Sequence, residues 1–167
     1  MAAPYHEQAL LQIAHQAIER EVSGKPPAQV KADSPPSPVF ITIERGGKVV
    51  GCRGSLAART PSLEQEVASE ARAACAHDPR YGPLTSKDLS RILVTVTVVD
   101  RMEPVGSVDG LEPSEGLVVR SGDKVGVVLP WEGKDPATRL KWAYKKAGLS
   151  EGSPATLALL IAKRFRG

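Results

Sequence analysis

Apolar residues recur at helical spacing near the start of the chain and then give way to a segment rich in proline. Over residues 6–22 the apolar positions repeat every three or four residues, with glutamates and an arginine between them. This pattern predicts an amphipathic helix. The prolines of residues 24–38 lack the N–H groups that a sheet requires, so they predict a surface loop within the same domain.

Two stretches of alternating apolar and polar residues predict β-hairpins. The first starts at Val39 and returns through Cys52, with Gly46-Gly47 supplying the positive φ angles of a tight turn. The second is "GLVVRSGDKVGVVLP", which turns at Gly122-Asp123. Between them, "RILVTVTVVD" predicts a strand whose alternate apolar residues face one way.

Two more helices follow from capping signals. Thr60 has the character of an N-cap with Pro61 at the first helical position, and the helix should end before "DPRYGPL". Its predicted buried stripe consists of Leu63, Val67, Ala71, Ala74 and Cys75. A short helix, "PATRLKWAYKKAG", closes at Gly148. The tail "ATLALLIAKRFR" permits a helix or a strand. The order of elements predicts an α+β fold, with helices packed on a mainly antiparallel sheet and room for a small subdomain.

Composition narrows the class of protein. A chain of 167 residues suits a single domain, residues 1–167. The net charge of +3 is spread along the chain without a basic run, which argues against a nucleic-acid footprint. The sequence has no apolar run of membrane-spanning length, and the first residues lack the pattern of a signal peptide. We therefore expect a cytoplasmic protein whose two cysteines are free thiols.

Several segments resemble, in order, the AMMECR domain family, which is named for the AMME-syndrome chromosomal region. They are "SPVFITIERGGKVVGCRGS", "HDPRYGPLTSKDL", "LSRILVTVTVV", "GLVV…VGVVLP", "KKAGL" and "AKRF". The resemblance implies one AMMECR-like domain with an antiparallel sheet, and it makes the tail a strand. It also implies a site at the cysteine, and Memo-like and radical-SAM proteins as partners. The family's chemistry is not established, so the resemblance assigns no reaction.

The chain departs from the family pattern next to this cysteine. Val50 stands where the family has arginine, and Arg53 stands where the family has an apolar residue. In a regular strand, residues two apart share a face and adjacent residues do not. A regular strand would therefore place this cation on the other face, whereas a bulge or turn within Gly51–Gly54 would change that. The connection "WEGKDP" is also shorter than is usual for the family.

Cys52 is the candidate catalytic residue. A reactive thiol needs a stabilised thiolate, and Arg53 is a candidate for the nearby cation. Gly51 and Gly54 would let the backbone approach a ligand and direct N–H groups at an anion. The alternative is that a small cysteine simply fits a glycine-flanked bend in the core.

The segment His77-Asp78-Pro79-Arg80 supplies further candidates. A histidine and an aspartate can serve as the base and its orienting partner in a nucleophilic site, but for His77 a helix terminus followed by a turn is the favoured interpretation. Asp78 and Arg80 match the family motif and are candidates for the ligand pocket. We also expect them to form an ion pair that anchors their loop beside Cys52.

Other chemistry is weakly indicated. Cys75 lies on an apolar helical stripe and should be buried and inert. The three histidines have no metal-ligand spacing, so we predict no metal, and no motif indicates a cofactor. Trp142 and Tyr144 share a helix with three lysines; such a helix can meet acidic partners or RNA, but aromatic packing inward is the favoured interpretation.

Two functional hypotheses remain from the sequence. In the first, an enzyme or enzyme component uses Cys52 in a pocket with Arg53, Asp78 and Arg80, acting on a small anionic metabolite or a modified RNA. In the second, a non-catalytic adaptor holds a peptide or ligand in the glycine-rich segment. RNA association by the weakly basic surface is a third, less favoured option.

Overall fold

The computed structural model describes residues 5–167 as an α+β fold, as predicted. Three helices and six strands lie within these residues: α1 Glu7–Val22, β1 Val39–Arg45, β2 Lys48–Gly54, α2 Leu63–Ala76, β3 Ile92–Val105, β4 Gly116–Ser121, β5 Lys124–Val128, α3 Pro136–Ala147 and β6 Thr156–Arg166. The strands form one sheet in the order β2-β1-β3-β6-β4-β5. The tail is therefore a strand, as the family resemblance implied.

Contacts divide the chain into two compact units. The first runs to Val98 and includes Arg164–Gly167, and the second is Val99–Lys163. In the first unit, α1 and α2 pack on one face of the sheet. The alternating residues of β1 and β3 supply that face, namely Val39, Ile41, Ile43, Val94, Val96 and Val98. The alternating apolar residues that the sequence pattern predicted therefore form the core of this unit.

The β1–β2 hairpin turns at Gly46 and Gly47, with φ angles of 60° and 79°, as the sequence predicted. Its pairing is irregular at one point. Ile43 lies opposite Gly51, whereas Glu44 lies opposite Val49, so Val50 is an extra residue without a partner. This β-bulge changes the order in which side chains alternate along β2.

Helix α2 starts later than the sequence indicated. Ser62, not Thr60, is the N-cap, because Ser62 Oγ accepts a hydrogen bond from the Gln65 N–H at 3.2 Å. The Thr60 hydroxyl is engaged elsewhere and donates to Glu66 Oε2 at 2.7 Å. The predicted end is confirmed, since the helix stops at Ala76.

The second unit contains the other hairpin and α3. Gly122 turns the hairpin with a φ of 62°, and Gly148 closes α3 in the left-handed conformation, both as predicted. Tyr144 is buried, in agreement with the expected inward packing, but Trp142 is 40% exposed and contradicts it. The inner face of α3 is occupied by Arg139, Ala143, Tyr144 and Ala147, so Trp142 falls on its outer side. Within the part of the chain that the structure describes, no helix combines the length and apolar character needed to cross a membrane.

Candidate functional site around Cys52

Cys52 lies in β2, the strand at one end of the sheet order, and is partly buried. It pairs directly with Thr42 of β1, and its Sγ lies 3.4 Å from Thr42 Oγ1. Successive side chains of a strand point to opposite faces. The thiol therefore lies on the face opposite Gly51, which packs against α2.

Asp78 and Arg80 hold the backbone of Cys52 from the open edge of β2. Asp78 Oδ2 accepts the Cys52 N–H at 3.0 Å, and Arg80 Nη2 donates to the Cys52 carbonyl oxygen at 2.9 Å. In an antiparallel strand the N–H and C=O of one residue point to the same side. The two side chains thus occupy the place where a neighbouring strand would bind. We call this pair the Asp–Arg clamp.

The two residues of the clamp are also bonded to each other. Arg80 donates from Nε to Asp78 Oδ1 at 3.0 Å and from Nη2 to Asp78 Oδ2 at 2.9 Å. The Asp78 side chain is 1% exposed, whereas that of Arg80 is 57% exposed. The predicted ion pair, and its anchoring of the loop beside Cys52, are therefore confirmed.

The bonds within the clamp change the pKa values of both its residues. Burial alone would raise the pKa of Asp78, but hydrogen bonds from Arg80 and from the Cys52 N–H outweigh it and lower that pKa below its ordinary value. The hydrogen bonds to Asp78 raise the pKa of Arg80 against the effect of burial, and the negative charges of Asp78 and of an ionised Cys52 raise it further. Because such coupling is reciprocal, the Arg80 cation favours the ionised form of Cys52.

Arg53 lies on the other face of β2. It pairs with Ile41, a fully buried residue of the α1/α2 core, and its charge acts on Glu70 of α2. Val50 packs against the same core. A bulge explains why residues 50 and 53 share this face, but it lies at Val50, outside the predicted segment: Gly51–Gly54 pairs with β1 in regular register. The cation brought to Cys52 is Arg80.

Both glycines beside Cys52 have a packing reason. A Cβ on Gly51 would lie 2.1 Å from the Ala74 carbonyl oxygen, and a Cβ on Gly54 would lie 2.3 Å from the Phe40 ring. No side chain fits at either position without movement of the backbone or the ring. The protein itself fills the space that these glycines leave.

The remaining predicted residues lie apart from this arrangement. Cys75 is 1% exposed, as expected, and its Sγ donates to the Arg72 carbonyl oxygen at 3.3 Å. Burial, together with the charge of Glu21, raises the pKa of Cys75 to about 11. His77 Nε2 lies 3.0 Å from Glu21 Oε1 of α1, which gives its ring a partner other than Cys52.

Sequence reasoning missed three buried glutamates on α2. Glu64, Glu66 and Glu70 are 6%, 1% and 5% exposed, beside the apolar stripe that was predicted correctly. Glu64 accepts the N–H groups of Asp33 and Ser34, at 2.6 and 2.7 Å. The spacing of four between Glu66, Glu70 and Ala74 was the available signal, because it places all three on one face. Among residues 5–167, no three His, Cys, Asp or Glu side chains are grouped to hold a metal ion.

Known proteins resemble this chain along most of its length. A family model described as AMMECR1 matches residues 11–166. A protein of Aeropyrum pernix is 35% identical over 159 residues, which cover 85% of this chain and 68% of the relative. A protein of Thermotoga maritima is 34% identical over 116 residues, covering 67% of each chain. The crystal structure of the uncharacterized protein PH0010 from Pyrococcus horikoshii shares the fold, with a TM-score of 0.81 at 23% identity over 95% of this chain and 89% of that one.

Proposed function

The chain belongs to the AMMECR1 family, and on that premise we propose that it is a thiol-dependent enzyme or enzyme component with Cys52 as its nucleophile. The observation that carries the proposal is the position of Arg80. Its guanidinium is fixed by the buried Asp78 and bonded to the Cys52 carbonyl oxygen. A permanent cation beside a cysteine is what a reactive thiolate requires.

Access and orientation also support this role. Cys52 is only partly buried, and the Arg80 side chain is 57% exposed, so a substrate can meet both. The Thr42 hydroxyl, 3.4 Å from Sγ, can donate a hydrogen bond to the thiolate. A substrate with an anionic group would bind the free part of Arg80 and present its electrophilic atom to Cys52. The substrate class is therefore a small anionic electrophile.

A non-catalytic adaptor is the second candidate, and one observation favours it. The clamp saturates the outward backbone groups of Cys52, which a purely structural bend at a sheet edge would also need. His77, the nearest histidine in sequence, is paired with Glu21 and supplies no base for the thiol. The two candidates differ in the behaviour of the thiol.

The rate of iodoacetamide alkylation against pH tests the proposal. We expect a fast phase whose apparent pKa lies below the ordinary cysteine value of about 8.5. It should persist in Cys75→Ser and vanish in Cys52→Ser. In Arg80→Gln the apparent pKa should rise, whereas Arg91→Gln, which removes an exposed arginine elsewhere, should leave it unchanged. A Cys52 that reacts slowly or titrates normally would instead favour the adaptor.

The partners belong to the same proposal and rest on the family resemblance. Memo-like and radical-SAM proteins would supply or consume the substrate of the Cys52 site. Copurification of this chain with tagged Memo-like and radical-SAM proteins of the same organism tests this assignment. If binding to a partner is unchanged by Cys52→Ser but is lost when the partner's active site is mutated, the chain is a component of the partner's enzyme and not the catalyst.

A further inference from the structure

A groove with a volume of about 650 Å³ lies beside α2 in the first unit, a size within the range of known ligand sites. One wall is the proline-rich segment 27–31, and Thr60 and Pro61, just before α2, contribute to the lining. The other wall consists of residues three or four positions apart on one face of α2, namely Gln65, Ala68, Ser69 and Arg72. From Gln65 to Arg72 the helix rises about 10 Å, the length of about three residues of an extended peptide.

The proline-rich wall has unpaired backbone groups along the groove. It is anchored on either side, because Arg20 Nε donates to the Pro26 carbonyl oxygen at 2.7 Å and Glu64 Oε1 accepts the Asp33 N–H at 2.6 Å. Between these anchors, no N–H or C=O of residues 28–32 forms a hydrogen bond with any residue in the range 5–167. The segment also lies outside every helix and strand. It therefore presents free donors and acceptors beside the groove, as the edge of a sheet does.

The charged side chains that line the groove are all basic. Arg72 is half-buried, and its guanidinium forms no hydrogen bond or ion pair with another described residue. Lys31 Nζ lies 3.6 Å from Asp33 Oδ1, but these side chains are 86% and 61% exposed, so the pair is weak and Lys31 can bind a ligand instead. Val30 and Ala68 add apolar surface. The groove thus complements a ligand that carries both negative charge and apolar side chains.

We propose that this groove binds an extended acidic peptide segment of a partner protein. The backbone of the peptide would pair with the free groups of residues 28–32, in the manner of a strand that is added to a sheet edge. Carboxylates of the peptide would bind Arg72 and Lys31, and its apolar side chains would cover Val30 and Ala68.

The free backbone groups distinguish this occupant from a small anion. A lone carboxylate or phosphate needs only Arg72 and Lys31, and it would leave the N–H and C=O groups of residues 28–32 unpaired. The groove is also separate from the thiol, because Cys52 Sγ lies on the face of β2 away from α2. Peptide binding should therefore not depend on Cys52.

An array of hexapeptides, composed of valine, serine, glutamate and lysine in all combinations, tests the proposal on the full chain. We expect the bound peptides to be rich in glutamate and valine, and we expect no binding where lysine replaces glutamate. For the tightest binder, Arg72→Gln should raise the Kd about tenfold, the effect of losing one charged hydrogen bond, and Arg72→Lys should restore much of the affinity. Arg91→Gln, which removes the same charge from an exposed position elsewhere, should leave the Kd unchanged, as should Cys52→Ser.

The backbone pairing has its own readout, which is amide hydrogen exchange with and without the bound peptide. Successive N–H groups of a strand point to opposite sides, so the peptide should slow the exchange of alternate amides within residues 28–32. Ser69→Trp, which fills the groove from a half-exposed position of α2, should abolish both binding and protection.

Four results would overturn the proposal. Binding that leaves residues 28–32 unprotected would identify a site for a small anion. Protection of these amides that grows with protein concentration, without peptide, would identify a second copy of the chain as the occupant. Absence of peptide binding, or an equal loss of affinity in Arg72→Gln and Arg91→Gln, would remove the groove as a peptide site.

Discussion

Acidic residues at the open edge of β2 and on its α2 side differ in how their carboxylates are bonded. At the Cys52 edge, the buried Asp78 is fully bonded, to Arg80 and to the Cys52 N–H. On the α2 face, the equally buried Glu70 has arginines nearby but no bond to them. The pKa of Asp78 is lowered and the pKa of Glu70 is raised, although burial pushes both upward.

This difference distinguishes a carboxylate that holds structure from one that forms no hydrogen bond or ion pair among residues 5–167. A bonded pair such as the clamp fixes the strand edge and positions the thiol, at the cost of leaving Asp78 no capacity for a ligand. Substitutions that affect the two regions unequally therefore test the comparison.

The largest expected effect comes from Gly51→Ala, which disturbs both the open edge of β2 and its contact with α2. The added Cβ would lie 2.1 Å from the Ala74 carbonyl oxygen, so β2 must separate from α2. We expect a loss of about 2–4 kcal/mol in the free energy of unfolding, typical of severe overpacking. Urea denaturation measures it. Gly82→Ala is the matched control, because a Cβ there meets nothing within 4 Å, and a similar loss in both variants would contradict the packing argument.

Asp78→Asn should have the next largest effect and act on the clamp alone. It removes the acceptor charge of a buried ion pair, which costs about 2–3 kcal/mol. Because the folded pKa of Asp78 is lowered, its contribution is present above the ordinary value of 3.8 and is lost as pH falls through the folded pKa. The gap between wild type and variant should therefore close in acid.

The exposed pair Asp100 and Arg101 provides the comparison for the clamp. Both side chains are more than half exposed, so Asp100→Asn should cost less than about 1 kcal/mol. An equal cost for Asp78→Asn and Asp100→Asn, or a gap that widens in acid, would show that the clamp is not a buried structural pair.

Glu70→Gln should have a smaller effect of the opposite sign. A carboxyl whose folded pKa is raised contributes stability below its ordinary value of 4.5, and that contribution is lost as pH rises through the folded pKa. The variant should therefore be more stable than wild type at neutral pH, and the advantage should fade toward acid. Thermal melts across pH measure it.

Glu64→Gln sharpens this contrast on the same helix. Burial would raise the pKa of Glu64, but hydrogen bonds from Ser34 and Asp33 lower it. The variant should therefore be less stable than wild type at neutral pH, and its deficit should shrink in acid. The same sign for Glu64→Gln and Glu70→Gln would remove the distinction between bonded and unpaired acids.

Much of the fold followed from local patterns in the sequence. The alternation in β1 and β3, the Gly46-Gly47 turn and the Gly148 cap each depend on a few neighbouring residues. The family motif also brought Asp78 and Arg80 to Cys52. What could not be predicted depends on long-range partners. Thr60 has the sequence character of a cap, but its hydroxyl donates to Glu66 instead. The spacing of four places Glu70 on the face of Ala74, but only the packing of the folded chain shows that this face is buried at Glu70.

Because of the bulge at Val50, the number of residues between two positions of β2 no longer tells which face each side chain is on. Residues 50 and 53 are an odd number of positions apart, yet both face α2. An arginine at either position would lie on the same, α2-facing side of β2. Two substitutions can therefore relocate this charge in the chain while the protein keeps it in place. A column-by-column comparison of relatives would record that exchange as the loss of one arginine and the unrelated gain of another.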